Sequence, residues 1–180
     1  MKTKLIILSC LVIFFILSCK KNAPPPNPNE EEFITTLQLE FIDSSGASPS
    51  IYALYQDKDG DGGNQPDKWD SIKLKSNTCY YMSITLLDET KTPSDTVSNE
   101  IISEGHDHLF CFDVLGLNLS INKIDLDKNG LPIGMKTKWN TGQPGNGSVQ
   151  VILKHQPDIK TGDCNIGATD IQLTFQLRVE

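Results

Sequence analysis

The 180-residue sequence predicts an all-β fold, a two-sheet antiparallel β-sandwich of Ig-like type with about nine or ten strands. Three observations carry that expectation. From residue 33 onward apolar residues recur with a period of two rather than 3.6. Clusters of Gly, Asn, Asp and Pro cut the chain into short runs. Only one stretch, 93–104, offers a helix, and its weak alternation also allows a strand.

The elements that precede the sandwich concern its address. Lys2 and Lys4 stand ahead of the apolar run Leu5–Leu17, which is shorter than the roughly 20 residues a membrane-spanning helix needs. This is the layout of a secretory signal over residues 1–18. Ile16-Leu17-Ser18-Cys19 resembles a bacterial lipobox, which implies a lipid on Cys19. The same four letters at 7–10 have too little apolar chain before them. Residues 19–32, with KKNAPPPNPNEEE after the cysteine, read as a proline-stiffened tether that holds the domain, 33–180, off a membrane. Lys20 after the cysteine is more like an outer-membrane lipoprotein than one kept at the inner membrane, and Glu30-Glu31-Glu32 resembles a surface-export signal set late.

The strands follow in order. TLQLEF puts Leu37, Leu39 and Phe41 on one face, and IYALY does the same for Ile51, Ala53 and Tyr55. YYMSITLL sets Tyr80, Met82, Ile84 and Leu86 against Tyr81, Ser83 and Thr85. The possible helix at 93–104 has Ser94 or Asp95 as its expected cap. LNLSI, IGMKTKW, SVQVILKH and IQLTFQLRV follow, and in the last Ile171, Leu173, Phe175, Leu177 and Val179 alternate without a break. Trp69 and Trp139 are expected to close an end of the sandwich.

Charge and cysteine content exclude some roles. Without the leader's Lys2 and Lys4, 14 basic residues face 23 acidic ones, a net charge of −9. Such a chain repels nucleic acid, whose binding depends on Lys and Arg neutralising phosphates. Cys10 leaves with the leader and Cys19 carries lipid, so Cys79, Cys111 and Cys164 allow at most one disulfide, or none.

Two surfaces carry candidate metal ligands. YQDKDGDGGNQPDKW, residues 55–69, holds Asp57, Asp59, Asp61 and Asp67. Its D-x-D-x-D-G core matches the first half of a calcium loop, where alternating carboxylates converge as the backbone turns at glycine. Lys68 stands where such a loop places a bidentate Glu, so a helical EF-hand is excluded and a weak, structural Ca²⁺ site in a β-loop is the reading left. Asp125–Gly130 is a fainter echo and reads as a turn. The second surface is formed by His106, His108 and His155. In an extended segment His106 and His108 point to the same side, shared with Phe110 and Phe112, and His155 shares one with Val149, Val151 and Leu153. His108 and His155 therefore sit at the rims of inward-facing strands, where they can meet. Imidazole suits Zn, Cu, Fe and Ni, with His106 or Asp107 available to complete an open site.

Catalytic motifs are lacking: there is no Gly-x-Ser-x-Gly elbow, phosphate loop, dinucleotide fingerprint or HExxH. A Cys–His dyad, for example Cys111 with His155, is a nucleophile arrangement that strand pairing would allow. The leader, EEEFITTLQLEF, DKDGDGGNQPD, TCYYMSITLLDET, GHDHLFCF, DKNGLPIGMKTKW and LKHQP together resemble a group of small Bacteroidota lipoproteins. The resemblance covers nearly the whole mature chain. Some members bear a type 1 periplasmic-binding fold label, which implies a larger α/β protein with repeated helices; this sequence has neither that length nor that periodicity. The resemblance implies an outer-membrane, lipid-anchored envelope protein that binds or presents something without transforming it, with an outer-membrane importer as partner by analogy. Two alternatives stand beside it. One is a metal-capturing lipoprotein that uses the three histidines, and the other is a passive structural or adhesive module whose only ligand is Ca²⁺.

Overall fold

In the computed structural model, residues 32–60 and 62–180 are described; the leader, Cys19, most of the tether and Asp61 lie outside them. The elements run β1 (Thr36–Asp43), β2 (Ile51–Gln56), β3 (Lys68–Trp69), β4 (Ile72–Leu74), β5 (Cys79–Leu87), α1 (Val97–Ser103), β6 (His108–Leu115), β7 (Leu119–Lys123), β8 (Lys136–Thr141), β9 (Gly145–His155) and β10 (Ala168–Val179). They form two sheets, one of six strands in the order β3-β2-β1-β5-β8-β7 and one of four in the order β4-β10-β9-β6. The all-β sandwich is therefore present, with ten strands. One pairing departs from an antiparallel pattern: β4 runs parallel to β10, with Leu74 opposite Val179.

The period-two pattern builds the core as the alternation requires. Leu37, Leu39 and Phe41 of β1 and Tyr80, Met82, Ile84 and Leu86 of β5 are buried from one sheet. Val149, Val151 and Leu153 of β9 and Leu173, Phe175, Leu177 and Val179 of β10 are buried from the other. Each alternate residue is thus taken out of water by the facing layer. Trp139 corrects the expectation of a sandwich end. It is fully buried, stands edge-on to Phe41 (5.0 Å between ring centroids) and Phe112 (6.1 Å), and so joins the two sheets. Its Nε1 donates to Thr137 Oγ1 at 2.7 Å. Trp69 is half exposed and stands edge-on to Tyr55.

Two other expectations shift locally. The helix is shorter than 93–104, and its N-cap is Thr96 with no side-chain capping bond, rather than Ser94 or Asp95. It is held by burial of Val97 and Ile101, while Ser98 Oγ accepts from Leu86 N at 2.6 Å. Ile133 and Met135, read as the start of a strand, precede β8 and stitch the sheets together. Phe110 N donates to Ile133 O (2.7 Å) and Ile84 N to Met135 O (3.0 Å). Gly134 between them has φ +89°, and a Cβ there would approach Phe110 Cβ to 2.9 Å, so both the conformation and the space select glycine.

Candidate metal centre

The site is assembled at one end of the four-stranded sheet. In the β6–β9 ladder His108 lies directly opposite His155, which places their rings side by side, centroids 4.8 Å apart and planes within 3°. Both residues are buried. A third group comes from β10. The ladder pairs Thr169 with Lys154 and Ile171 with Leu153, so Asp170 is the extra residue of a bulge. By strict alternation with Ile171 and Leu173 it would point to solvent. The bulge instead places its carboxylate, whose side chain is fully buried, 3.9 Å from His108 Nε2. One ligand atom each from His108, His155 and Asp170 lies within 4.8 Å of the others. Binding one ion would draw them inward, because Zn–N and Zn–O bonds are about 2.0–2.2 Å.

The hydrogen bonding leaves the His108 imidazole poised as a ligand. His108 Nδ1 lies 3.2 Å from Glu104 O, at the end of α1, and donates to it. That bond sets the tautomer and leaves the Nε2 lone pair directed inward. The Nε2 atoms of both His108 and His155 are buried without a hydrogen-bond partner, an arrangement native proteins rarely leave without a purpose. The surroundings are held by loop 156–167. Gln156 Nε2 donates to Asp163 O (2.7 Å) and Ile166 O (2.9 Å), and Gln156 N donates to Asp107 O (2.6 Å). Cys164 of that loop is bonded to Cys111 of β6. Gly167, at φ +83°, comes so close to the His155 carbonyl that any Cβ would collide with it.

Electrostatics sharpen the site. Burial pushes His108 down to about 4 from 6.5, the Glu104 carbonyl opposing and the His155 ring adding to the shift. The ring is neutral, as a metal ligand must be. The unfolded chain takes up this proton near pH 6.5, so the contribution to stability is present above pH 6.5 and is lost as pH falls toward 4. Through His108 the metal-free domain should lose about 3 kcal/mol over that window. Glu32 behaves in the opposite sense. Burial, then the charges of Glu100, Asp170 and Glu104, raise it from 4.5 to about 7, so its contribution is present below pH 4.5 and is lost as pH rises toward 7. Urea midpoints of wild type and His108→Asn across pH 4–7 separate the two, because Glu32 titrates in both proteins; parallel profiles would contradict the assignment.

The other expected ligands are placed differently. His106 lies in the turn before β6, not on an extended strand, so the parity argument does not reach it; its Nε2 faces Asp107 Oδ2 at 3.3 Å, and it is not in the group with His108 and His155. In the aspartate loop, Asp59 Oδ2 accepts from Asn64 N (2.9 Å) and Nδ2 (2.7 Å), bonds that hold its carboxyl below the usual range. Asp67 Oδ2 accepts from Lys58 N (3.1 Å) and Asp57 Oδ2 from Tyr55 Oη (3.3 Å). Among the described residues Asp57, Asp59 and Asp67 do not form one ligand group, and Asp61 lies outside them. In the 125–130 segment, Asp127 Oδ1 accepts from Asn129 N and Leu131 N, and its Oδ2 pairs with buried Lys160 at 2.8 Å, which makes that segment a turn. Cys111 is consumed by its disulfide, which removes the dyad with His155. A cleft of about 650 Å³ lined by Tyr55, Asp57, Trp69, Asp170 and Leu173 runs from the aspartate loop to the bulge.

No known protein family, curated protein or solved structure matches this chain. No helix among the described residues is long and apolar enough to cross a membrane.

Proposed function

We propose that this chain is a lipid-anchored cell-envelope protein whose sandwich captures a divalent transition metal, Zn²⁺ or Cu²⁺, at His108, His155 and Asp170. The observation that carries the reading is the pair of buried Nε2 atoms without hydrogen-bond partners, on rings grouped with the Asp170 carboxylate, one oxygen of which lies 3.9 Å from His108 Nε2. Two imidazoles and a carboxylate form a borderline ligand set that favours Cu²⁺ and Zn²⁺ over the hard ions Ca²⁺ and Mg²⁺. The Cys111–Cys164 disulfide supports an oxidising compartment, in keeping with the leader and the lipobox. Holding and presenting the ion, to an outer-membrane importer by the analogy drawn from the sequence, is the role proposed; catalysis is not part of it. The aspartate loop keeps a secondary proposal, a structural Ca²⁺ site of about 10⁻⁴–10⁻³ M, favoured by the buried Asp57 Oδ1 that has no hydrogen-bond partner.

The test is calorimetric titration of the chelator-stripped, tag-free domain with Zn²⁺ and with Cu²⁺. One equivalent should bind to wild type and none to the His108→Ala/His155→Ala double variant. At one hundred times Kd the ion should stabilise wild type by about 2.7 kcal/mol. Absence of saturable binding to wild type, or an unchanged isotherm in the double variant, ends the reading.

A further inference from the structure

The tether was expected to end at Glu32, outside the domain, yet Glu32 is part of the end of the sandwich that holds the histidines. Its side chain is only 15% exposed, and Oε1 lies 3.8 Å from His108 Nε2, the same atom that Asp170 faces at 3.9 Å. The residues that follow seat it there. Phe33 lies against Gly60 of the aspartate loop, since a Cβ on Gly60 would meet Phe33 Cζ at 3.1 Å. Ile34 packs on the core. Thr35 Oγ1 donates to Leu87 O (3.1 Å) and accepts from Glu89 N (2.8 Å). Glu32 is therefore carried on a segment anchored at its C-terminal side, with its carboxylate directed at the imidazole pair.

Position and charge together define what this carboxylate is for. It shares its surroundings with the carboxyl groups of Glu100, to which it is hydrogen-bonded, Glu104 and Asp170, beside the rings of His108 and His155. Carboxylates gathered in a partly buried space repel one another unless a proton or a cation lies among them, and a bound cation would displace the proton. Two nitrogens and the Asp170 oxygen leave a tetrahedral ion one ligand short; Glu32 stands outside that group of three, yet its Oε1 faces the same His108 Nε2 at 3.8 Å and would close in on a bound ion.

We propose that Glu32 is the fourth ligand of the metal bound by His108, His155 and Asp170, and that occupancy fastens the polypeptide entering β1 to the domain. The inference rests on the metal-capture reading and extends it from a site within the sandwich to a clasp between the sandwich and the segment leading into it. Metal occupancy and the hold on residues 32–35 then become one equilibrium, since whatever binds the closed arrangement alone stabilises it.

Zn²⁺ alone is the probe. Titration of wild type, Glu32→Gln and Glu32→Asp is paired with hydrogen–deuterium exchange of the peptide covering residues 32–36, with and without Zn²⁺. Glu32→Gln keeps size and hydrogen bonding but removes the charged ligand, and it should weaken Zn²⁺ binding by at least about 10-fold. Glu32→Asp should fall between the two. In wild type Zn²⁺ should slow exchange at residues 32–36, and in Glu32→Gln, saturated with Zn²⁺, it should not. Wild-type affinity in Glu32→Gln, while His155→Ala fails to bind, overturns the fourth ligand and leaves the capture site standing. Failure of wild type itself to bind overturns both. Weakened binding with unchanged exchange at 32–36 overturns the clasp.

Discussion

Trp139→Ala is expected to cost the domain about 3–5 kcal/mol, the range for deleting a large aromatic from a packed core. The residue is fully buried, and it meets Phe41 of one sheet and Phe112 of the other in edge-on contacts, so the cavity would open between the two layers. A second loss compounds the first. Thr137, itself fully buried, would lose the indole N–H that its hydroxyl accepts at 2.7 Å, and a buried hydroxyl left without that donor is costly. Trp139→Phe removes the N–H but keeps much of the ring and should cost less. Urea unfolding followed by circular dichroism measures both, and a loss below about 1 kcal/mol for Trp139→Ala would show that the sheets are not held together there.

The second large effect is expected from the Cys111→Ala/Cys164→Ala variant. The bridge closes a loop with a sequence separation of 53, for which chain-entropy reasoning gives about 4 kcal/mol. Its consequence reaches further than stability. Cys164 belongs to the loop that leads through Gly167 to the bulge at Asp170, and Cys111 lies three residues beyond His108 on β6. Releasing the bridge leaves that loop held by Gln156 and by Lys160, whose Nζ donates to Gly105 O at 2.6 Å. The Asp170 carboxylate should then be less firmly placed, and Zn²⁺ affinity should drop about 10-fold, as when the support of a ligand is removed. Reduction of wild type with a non-chelating phosphine gives the same comparison without mutation. Equal Zn²⁺ affinity in oxidised and reduced protein would show that the loop does not position the carboxylate.

How far the sequence could be read depended on whether alternation held. It held through β1, β5, β9 and β10, and so it placed the core residues and brought His108 and His155 to a common rim, where the register sets them opposite each other. It failed wherever the backbone stopped alternating. Asp170 directly precedes the cleanest period-two run in the chain, and only the bulge, which periodicity cannot register, turns it inward. His106 was assigned to the face of His108 on the assumption of an extended segment, whereas the chain there is still turning out of α1. Glu32 was hidden by composition, because the last residue of an acidic, proline-rich stretch reads as solvated spacer. A weak signal did exist for Asp170: an acid immediately before an apolar strand whose partner ends in a histidine. The parallel β4–β10 pair had none, since a three-residue strand carries too little pattern to state its direction.

The place of β10 in its sheet has a consequence for when the centre can exist. It follows β4, β6 and β9 in the chain, yet it occupies an inner position, with β4 on one side and β9 on the other. Until residues 168–179 have emerged, β4 has no neighbour in its sheet and Asp170 has not joined His108 and His155. The pairing of β4 and the gathering of His108, His155 and Asp170 are thus one late event in the making of the chain, and a chain cut short before residue 168 should have neither.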